Sequence, residues 1–326
     1  MENEIKTKVI GINVTSSVTL IALVDIRGNI LAKDTLKTTD YPNVNGFVEA
    51  LAEHIMLLSE ANGGYQTIRS VGISAPSANF VTGCIENAGN MPWKGIIPLA
   101  AMLRDSIGLA VALGNDAHVS ALGESVYGYA HGMNTFIIVT LGRKGVGSGF
   151  FSYGQPHLGT DGFAGEIGHC CIDVNGRPCN CGRKGCLERY VSIQGILQTA
   201  REMLEQTDHP SLLRSAGELT IEQLKTCADQ GDELAREVWN VAGTTLGISL
   251  ANYATVVNPE AVILTGVLLE HAKWMMAPME KSFYDSLFHN IRSTIRLLVS
   301  PINNSDRDVL GASVLAWKVK EYSLFK

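Results

Sequence analysis

The residues best suited to chemistry crowd between positions 159 and 192. There the chain reads Gly159-Thr-Asp-Gly-Phe-Ala-Gly-Glu166-Ile-Gly-His169, and then Cys179-Asn-Cys181-Gly-Arg-Lys-Gly-Cys186-Leu-Glu188. Three cysteines fall within eight residues, and a histidine stands ten residues before the first of them. Tetrahedral zinc prefers thiolate sulfur and imidazole nitrogen, so His169, Cys179, Cys181 and Cys186 read as one ligand set. A full shell leaves no place for a reactive water, so the metal is expected to be structural. Gly182 and Gly185 between the ligands suit a tight knuckle, and free buried thiols are the alternative. Glu166 and Glu188 lie within three residues of a ligand, which fixes where they point. With His169 they could accept hydrogen bonds from the vicinal hydroxyls of a sugar. Solvated loop charge is the plainer reading of the same glutamates.

Other candidates carry weaker signals. Asn115-Asp116 ends a buried strand, where open α/β sheets place their ligands. An Asp there can act as general base toward an alcohol. The dipeptide alone reads more simply as a helix N-cap. Gly145-Val-Gly147-Ser-Gly149 is read as a glycine-rich turn whose backbone N–H groups could cradle phosphate, although such hairpin turns are common. Asn90-Met-Pro-Trp93 fits either a pocket wall or core.

These residues need elements to hold them. Short apolar strands are expected at residues 9–14, 18–24 and 30–36 as a meander, followed by an amphipathic helix at 45–60. Strands at 70–74 and 109–113 and a helix at 117–127 complete the first half. The second half restarts the pattern, with a strand at 135–141, the glycine turn at 143–149 and a strand at 150–153. Helices follow at 192–205, 221–230 and 233–256, strands at 261–265 and 297–300, and a closing helix at 309–320. Strand–turn–strand units followed by helices open both halves, which implies two α/β domains of related topology facing a cleft. The expected boundaries are 1–115 plus 305–326 for one domain and 116–304 for the other.

Composition narrows the class. The 326 residues are 46% hydrophobic and 18% charged, ordinary for a globular protein with a large core. Twenty-six basic against 32 acidic residues give a charge of −6, which argues against nucleic-acid binding by this chain alone. The sequence shows no signal peptide and no apolar run that would span a membrane. Seven unevenly spaced cysteines suit a reducing cytoplasm.

Taken together, the motifs resemble the ROK family of repressors and sugar kinases. They are Gly165-Glu-Ile-Gly-His169, Cys179-x-Cys181-Gly-x-x-Gly-Cys186-Leu-Glu188, Asn115-Asp116-Ala117 and Asn90-Met-Pro-Trp93. The resemblance implies an actin-like, hexokinase-like fold of two ribonuclease H-like domains around a cleft. It gives Asp116 the role of catalytic base toward the sugar hydroxyl that attacks the γ-phosphate. Asn90, Asn115, Asp116, Glu166, His169 and Glu188 become sugar-binding residues, with one nitrogen of His169 on zinc. A homodimer or homotetramer and a hexose or N-acetylhexosamine ligand are implied as well.

The nucleotide motifs depart from the family. Its kinases open with Asp-x-Gly-Gly-Thr, whereas this chain has Asn13-Val-Thr15-Ser16-Ser17. The magnesium-linked carboxylate and both glycines are gone. The second phosphate loop, with Gly145 and Gly147, carries an extra residue, and the late Gly-Gly pair reads Thr265-Gly266. Asn13, Ser17, Gly145, Gly147 and Gly266 therefore mark an altered nucleotide site beside an intact sugar site. The expectation is a sugar-responsive, regulator-type member without an N-terminal helix-turn-helix. The alternative is an ATP-dependent hexose or N-acetylhexosamine kinase that uses Mg-ATP, with Arg143 and Lys144 supplying charge to the phosphates.

Overall fold

The computed structural model describes residues 6–89, 91–143, 145–215 and 217–319. The chain divides into two compact units, residues 1–132, 156–164 and 301–326, and residues 133–155 and 165–300.

The first unit is built on β1 (Lys8–Val14), β2 (Val18–Asp25) and β3 (Ile30–Lys37), then α1 (Val44–Glu60) and β4 (Ile68–Ala75). The short strands β5 (Ala78–Asn79), β6 (Cys84–Glu86) and β7 (Ile96–Ile97) form a separate small sheet. Next come α2 (Leu99–Ile107), β8 (Ala110–Asn115) and α3 (Asp116–Tyr127). The main sheet has the order β3-β2-β1-β4-β8, antiparallel across β3, β2 and β1 and parallel from there on.

Strand β1 is covered on both faces, which is why it reads as a near-continuous apolar run. Ile10, Ile12 and Val14 pack with Phe47, Leu51 and Ile55 of α1 and Leu99 and Leu103 of α2. Val9 turns to the opposite face, where Val309 and Ala316 of the C-terminal helix, Asn304–Lys318, cover the sheet. Gly11 and Gly72 are register partners beneath that helix. A β-carbon on either would collide with the carbonyl of Val309 or Ala312, so only glycine lets the helix seat.

The second unit repeats this plan with β9 (Phe136–Leu141), β10 (Val146–Ser152) and β11 (Gln155–Pro156). It continues through α4 (Glu188–Val191), α5 (Ile193–Gln206), α6 (Ile221–Asp229) and α7 (Glu233–Val257). Strand β12 (Ala261–Thr265), α8 (Lys273–Ser286) and β13 (Arg296–Val299) complete it. The sheet order β11-β10-β9-β12-β13 again places an antiparallel pair, β10 with β9, before two parallel pairings. Its core gathers around Trp239 of α7, which is fully buried. The expected α/β fold, two domains of one actin-like topology, is the fold observed.

Three expectations shift. The boundary expected after residue 115 does not match the compact units, because α3 packs on the C-terminal helix and stays with the first unit. Residues 156–164 also group there. The closing helix starts at Asn304 rather than 309. Residues 146–149, read as turn, are the first half of β10. Among the described residues no helix is long and apolar enough to cross a membrane.

Candidate functional site: a cysteine–histidine knuckle and its flanking carboxylates

The knuckle lies in the second unit. Residues 167–169 form a single 3₁₀ turn that ends at His169. Two isolated antiparallel bridges, Cys171 with Cys186 and Pro178 with Lys184, then fold the segment back on itself. Gly182 holds the tip at φ +85°, its N–H bonded to the Cys179 carbonyl at 3.0 Å.

This folding brings the sulfurs of Cys179, Cys181 and Cys186 and one nitrogen of His169 within 4.8 Å of one another. Cys179 Sγ stands 3.7 Å from His169 Nδ1, and Cys181 Sγ stands 3.6 Å from Cys186 Sγ. Four-coordinate zinc with Zn–S bonds near 2.3 Å needs sulfurs about 3.8 Å apart, so the donor set and its spacing fit that metal. The backbone N–H and side chain of Arg183 lower the Cys181 thiol to about 6. Burial pushes Cys179 up to about 12 and Cys186 upward as well. A cation at the centre is what would ionise all three thiols together.

Arg177 ties the knuckle to α5. Its guanidinium donates to the carbonyls of Arg189 (2.7 Å) and Gly195 (3.0 Å) and to Thr199 Oγ1 (2.8 Å), and it pairs with Glu202. The Arg177 guanidinium, bonded to the Glu202 carboxyl, holds that group below its ordinary range. That contribution is therefore present at neutral pH and fades as the pH falls through the carboxylate range. Arg177→Met is expected to destabilise the protein by about 2 kcal/mol, read as a lower urea midpoint. An unchanged midpoint contradicts this.

Glu188 opens α4 directly against the cysteine–histidine cluster. Its Oε1 lies 3.2 Å from Cys179 Sγ and 3.8 Å from His169 Nδ1. Its other oxygen would stand 3.1 Å from a β-carbon on Gly145, so the carboxylate backs onto Gly145. Glu166 precedes the 3₁₀ turn and is exposed, with its carbonyl bonded to the His169 N–H at 3.1 Å. The structure thus gathers His169, Glu188 and the three cysteines, and it joins Glu166 to them only through the backbone.

Asn115 and Asp116 belong to the first unit, at the junction of β8 and α3. Asn115 caps α3, its Oδ1 accepting from the Ala117 N–H at 2.9 Å. Asp116 is the first helical residue and is exposed, and its Oδ1 accepts from the same N–H at 2.8 Å. The capping role is therefore real for Asn115, and it leaves Asp116 at the surface of the strand end. Asn90 and Lys144 lie outside the described residues.

The nucleotide candidates separate. Asn13, at the end of β1, donates its amide to Asp308 of the C-terminal helix at 3.0 Å. Burial pushes the Asp308 carboxyl up, against Arg307 and Asn13, which favour its charge. Beyond it the β1–β2 turn is closed by Thr15, whose hydroxyl accepts from the N–H groups of Ser17 (3.4 Å) and Val18 (3.1 Å). Gly147 is paired with Thr140 inside the sheet, so the second loop is shorter than read, closing with Gly142 N–H to the Gly145 carbonyl at 3.0 Å. Gly266 directly follows β12 at φ +105°, where a β-carbon would strike the backbone of Leu141. Asp308 was missed because 295 residues separate it from Asn13, and no local spacing announces such a pair.

Comparison with known proteins places this geometry. The sequence pattern of the ROK family matches residues 9–319. The chain belongs to the ROK family. Among ROK relatives, the glucokinase of Thermotoga maritima is 29% identical over 312 residues, covering 94% of this chain and 96% of that one. The xylose repressor of Bacillus subtilis is 28% identical over 216 residues, so the match spans about half of it, 53%, and 66% of this chain. The crystal structure of a ROK family glucokinase from Streptomyces griseus, in complex with glucose and AMPPNP, superposes with a TM-score of 0.77 at 27% identity. That match covers 96% of this chain and 100% of the other. A ROK family transcriptional regulator, a homologue of the E. coli MLC protein, shares the fold at a TM-score of 0.83 and 24% identity, with 94% and 77% covered.

Proposed function

We propose that this ROK protein binds a hexose or an N-acetylhexosamine and acts as a sugar-responsive, regulator-type member with a degraded ATP site. The carrying observation is the closed first turn. Thr15 takes the N–H groups that would otherwise face a phosphate, and Asn13 replaces a carboxylate with an amide already spent on Asp308. Phosphoryl transfer depends on positioned phosphates and their metal, so this change removes its main source of rate. Zinc is the metal we assign to His169, Cys179, Cys181 and Cys186, and it supplies rigidity rather than a reactive water. With Nδ1 of His169 turned to the cysteines, Nε2 is left for a sugar hydroxyl. Glu166, Glu188, Asn115 and Asp116 supply further polar contacts, with Asn90 assigned from its motif. Sugar binding then shifts the population of conformers read by a partner or a homo-oligomer.

One observation favours a second reading, an ATP-dependent sugar kinase. The match to Thermotoga maritima glucokinase runs over nearly the whole of both chains. In that reading Asp116 is the general base, removing the proton of the attacking hydroxyl.

A coupled ADP-release assay over glucose, N-acetylglucosamine, N-acetylmannosamine and xylose separates the two. The regulator reading expects no turnover approaching about 1 s⁻¹, an ordinary enzyme rate. Turnover at that rate that vanishes in Asp116→Asn overturns it. In thermal melts, a sugar at 100 times its Kd adds about 2.7 kcal/mol of stability, and Mg-ATP adds none.

A further inference from the structure

The knuckle holds one cysteine outside its candidate ligand set, facing one inside it. Cys171 is exposed and stands outside the four-ligand cluster. It is paired across the antiparallel bridge with Cys186, which is fully buried and is a ligand. The flanking backbone bonds run from Ile172 N–H to the Gly185 carbonyl at 2.8 Å and from Leu187 N–H to the Cys170 carbonyl at 3.0 Å. Bonds on both sides and none between the two cysteines define the narrow pair of an antiparallel ladder. Its α-carbons lie about 4.5 Å apart and its side chains share one face. Disulfides form over α-carbon separations of about 4.4–6.8 Å. Cys170, the neighbouring exposed thiol, points to the other face by alternation, and there it meets the Tyr253 hydroxyl.

We propose that Cys171 and Cys186 form a disulfide in response to hydrogen peroxide, and that this disulfide promotes release of the metal. The Cys171 thiolate attacks a peroxide oxygen. The O–O bond breaks, leaving a sulfenic acid on Cys171 and hydroxide in solution. The sulfur of Cys186, one of the residues that would hold the metal, attacks the Cys171 sulfur. The S–S bond forms, the S–O bond breaks, and the second oxygen departs as hydroxide that takes up a proton. Two thiolates have lost two electrons, and the peroxide has gained them. The candidate ligand set would then offer three donors instead of four, which weakens its hold on the metal. Disulfides that are exposed or strained are readily reduced, so a thiol reductant restores the original set.

The proposal rests on the metal assignment and not on the identity of the sugar. The zinc-loaded full chain is treated with hydrogen peroxide while a chelating dye follows zinc, and its peptides are then mapped without reduction. The expected map shows Cys171 joined to Cys186. The expected rate of zinc release falls about tenfold in Cys171→Ser and is unchanged in Cys170→Ser. A map dominated by bonds among Cys179, Cys181 and Cys186, or equal release from Cys171→Ser, overturns the proposal. Protein that never holds zinc overturns the metal assignment, and the disulfide map still decides the pair.

Discussion

Cys186→Ser is expected to purify without its metal and to bind sugar at least about 50-fold more weakly than the wild type, within the range seen when metal-site support is removed. Cys186 has no exposed surface, and it anchors the strand segment that runs through buried Leu187 into Glu188. Structural zinc contributes about 10–16 kcal/mol of apparent binding free energy in small knuckles. Zinc bound at His169, Cys179, Cys181 and Cys186 would hold a segment whose two bridges close only a few backbone bonds. Without it, His169 and Glu188 lose the common point that fixes their 3.8 Å approach. Metal analysis and calorimetric titration with the sugar panel read both halves of the result. Chelated wild type should match the variant. Full sugar affinity in metal-free protein would show that the loop is set by its own packing.

Asn13→Asp, the substitution that restores the kinase residue, is expected to destabilise the protein rather than create an ATP site. It places a second carboxylate about 3 Å from Asp308, where the Asn13 amide now donates. Two charges at that distance repel by about 5 kcal/mol at an effective dielectric near 20. The pair relieves part of this by sharing a proton, which caps the cost at about 1.4 kcal/mol per pH unit below the working pH. Burial already pushes Asp308 up, so the shared proton is bound more tightly in the folded state than in the unfolded chain. The sign follows, since stability is lost as the pH rises through the raised folded value. We expect a loss of about 3 kcal/mol at pH 8 that shrinks steadily toward pH 5. Thermal melts across that range test it. A variant as stable as the wild type at pH 8, or one that gains sugar-dependent ADP release, would contradict the account.

Local chemistry made much of this legible in advance. The knuckle could be read because its ligands fall within one short segment and its glycines sit where the turns need them. The meander and α1 could be read because their apolar residues keep period, while the Asn43 cap that starts α1 is seen only in the structure. Helix α8 escaped because Pro278 interrupts its interior, and the helix survives by packing against α7 at Gly243 and Gly247. The glycines at 147 and 149 misled for a related reason. They resemble turn residues, yet their place is fixed by β-pairing with β9, which no local pattern reports. The Asn13–Asp308 bond and the Cys171–Cys186 pairing needed the fold itself. In both, one partner is brought in by tertiary pairing rather than by spacing.

The glycine seat under the C-terminal helix bears on how the protein is made. Strands β1 and β4 leave the ribosome early, and the helix that covers Gly11 and Gly72 follows much later, at a separation like the 295 residues between Asn13 and Asp308. At translation rates of 5–20 residues per second, that interval is roughly 15–60 s. During it, the sheet face around Val9, Ala22 and Val24 has no cover from its own helix. The first unit is therefore completed only after the second has been synthesised, and its apolar sheet face waits that long for its helix.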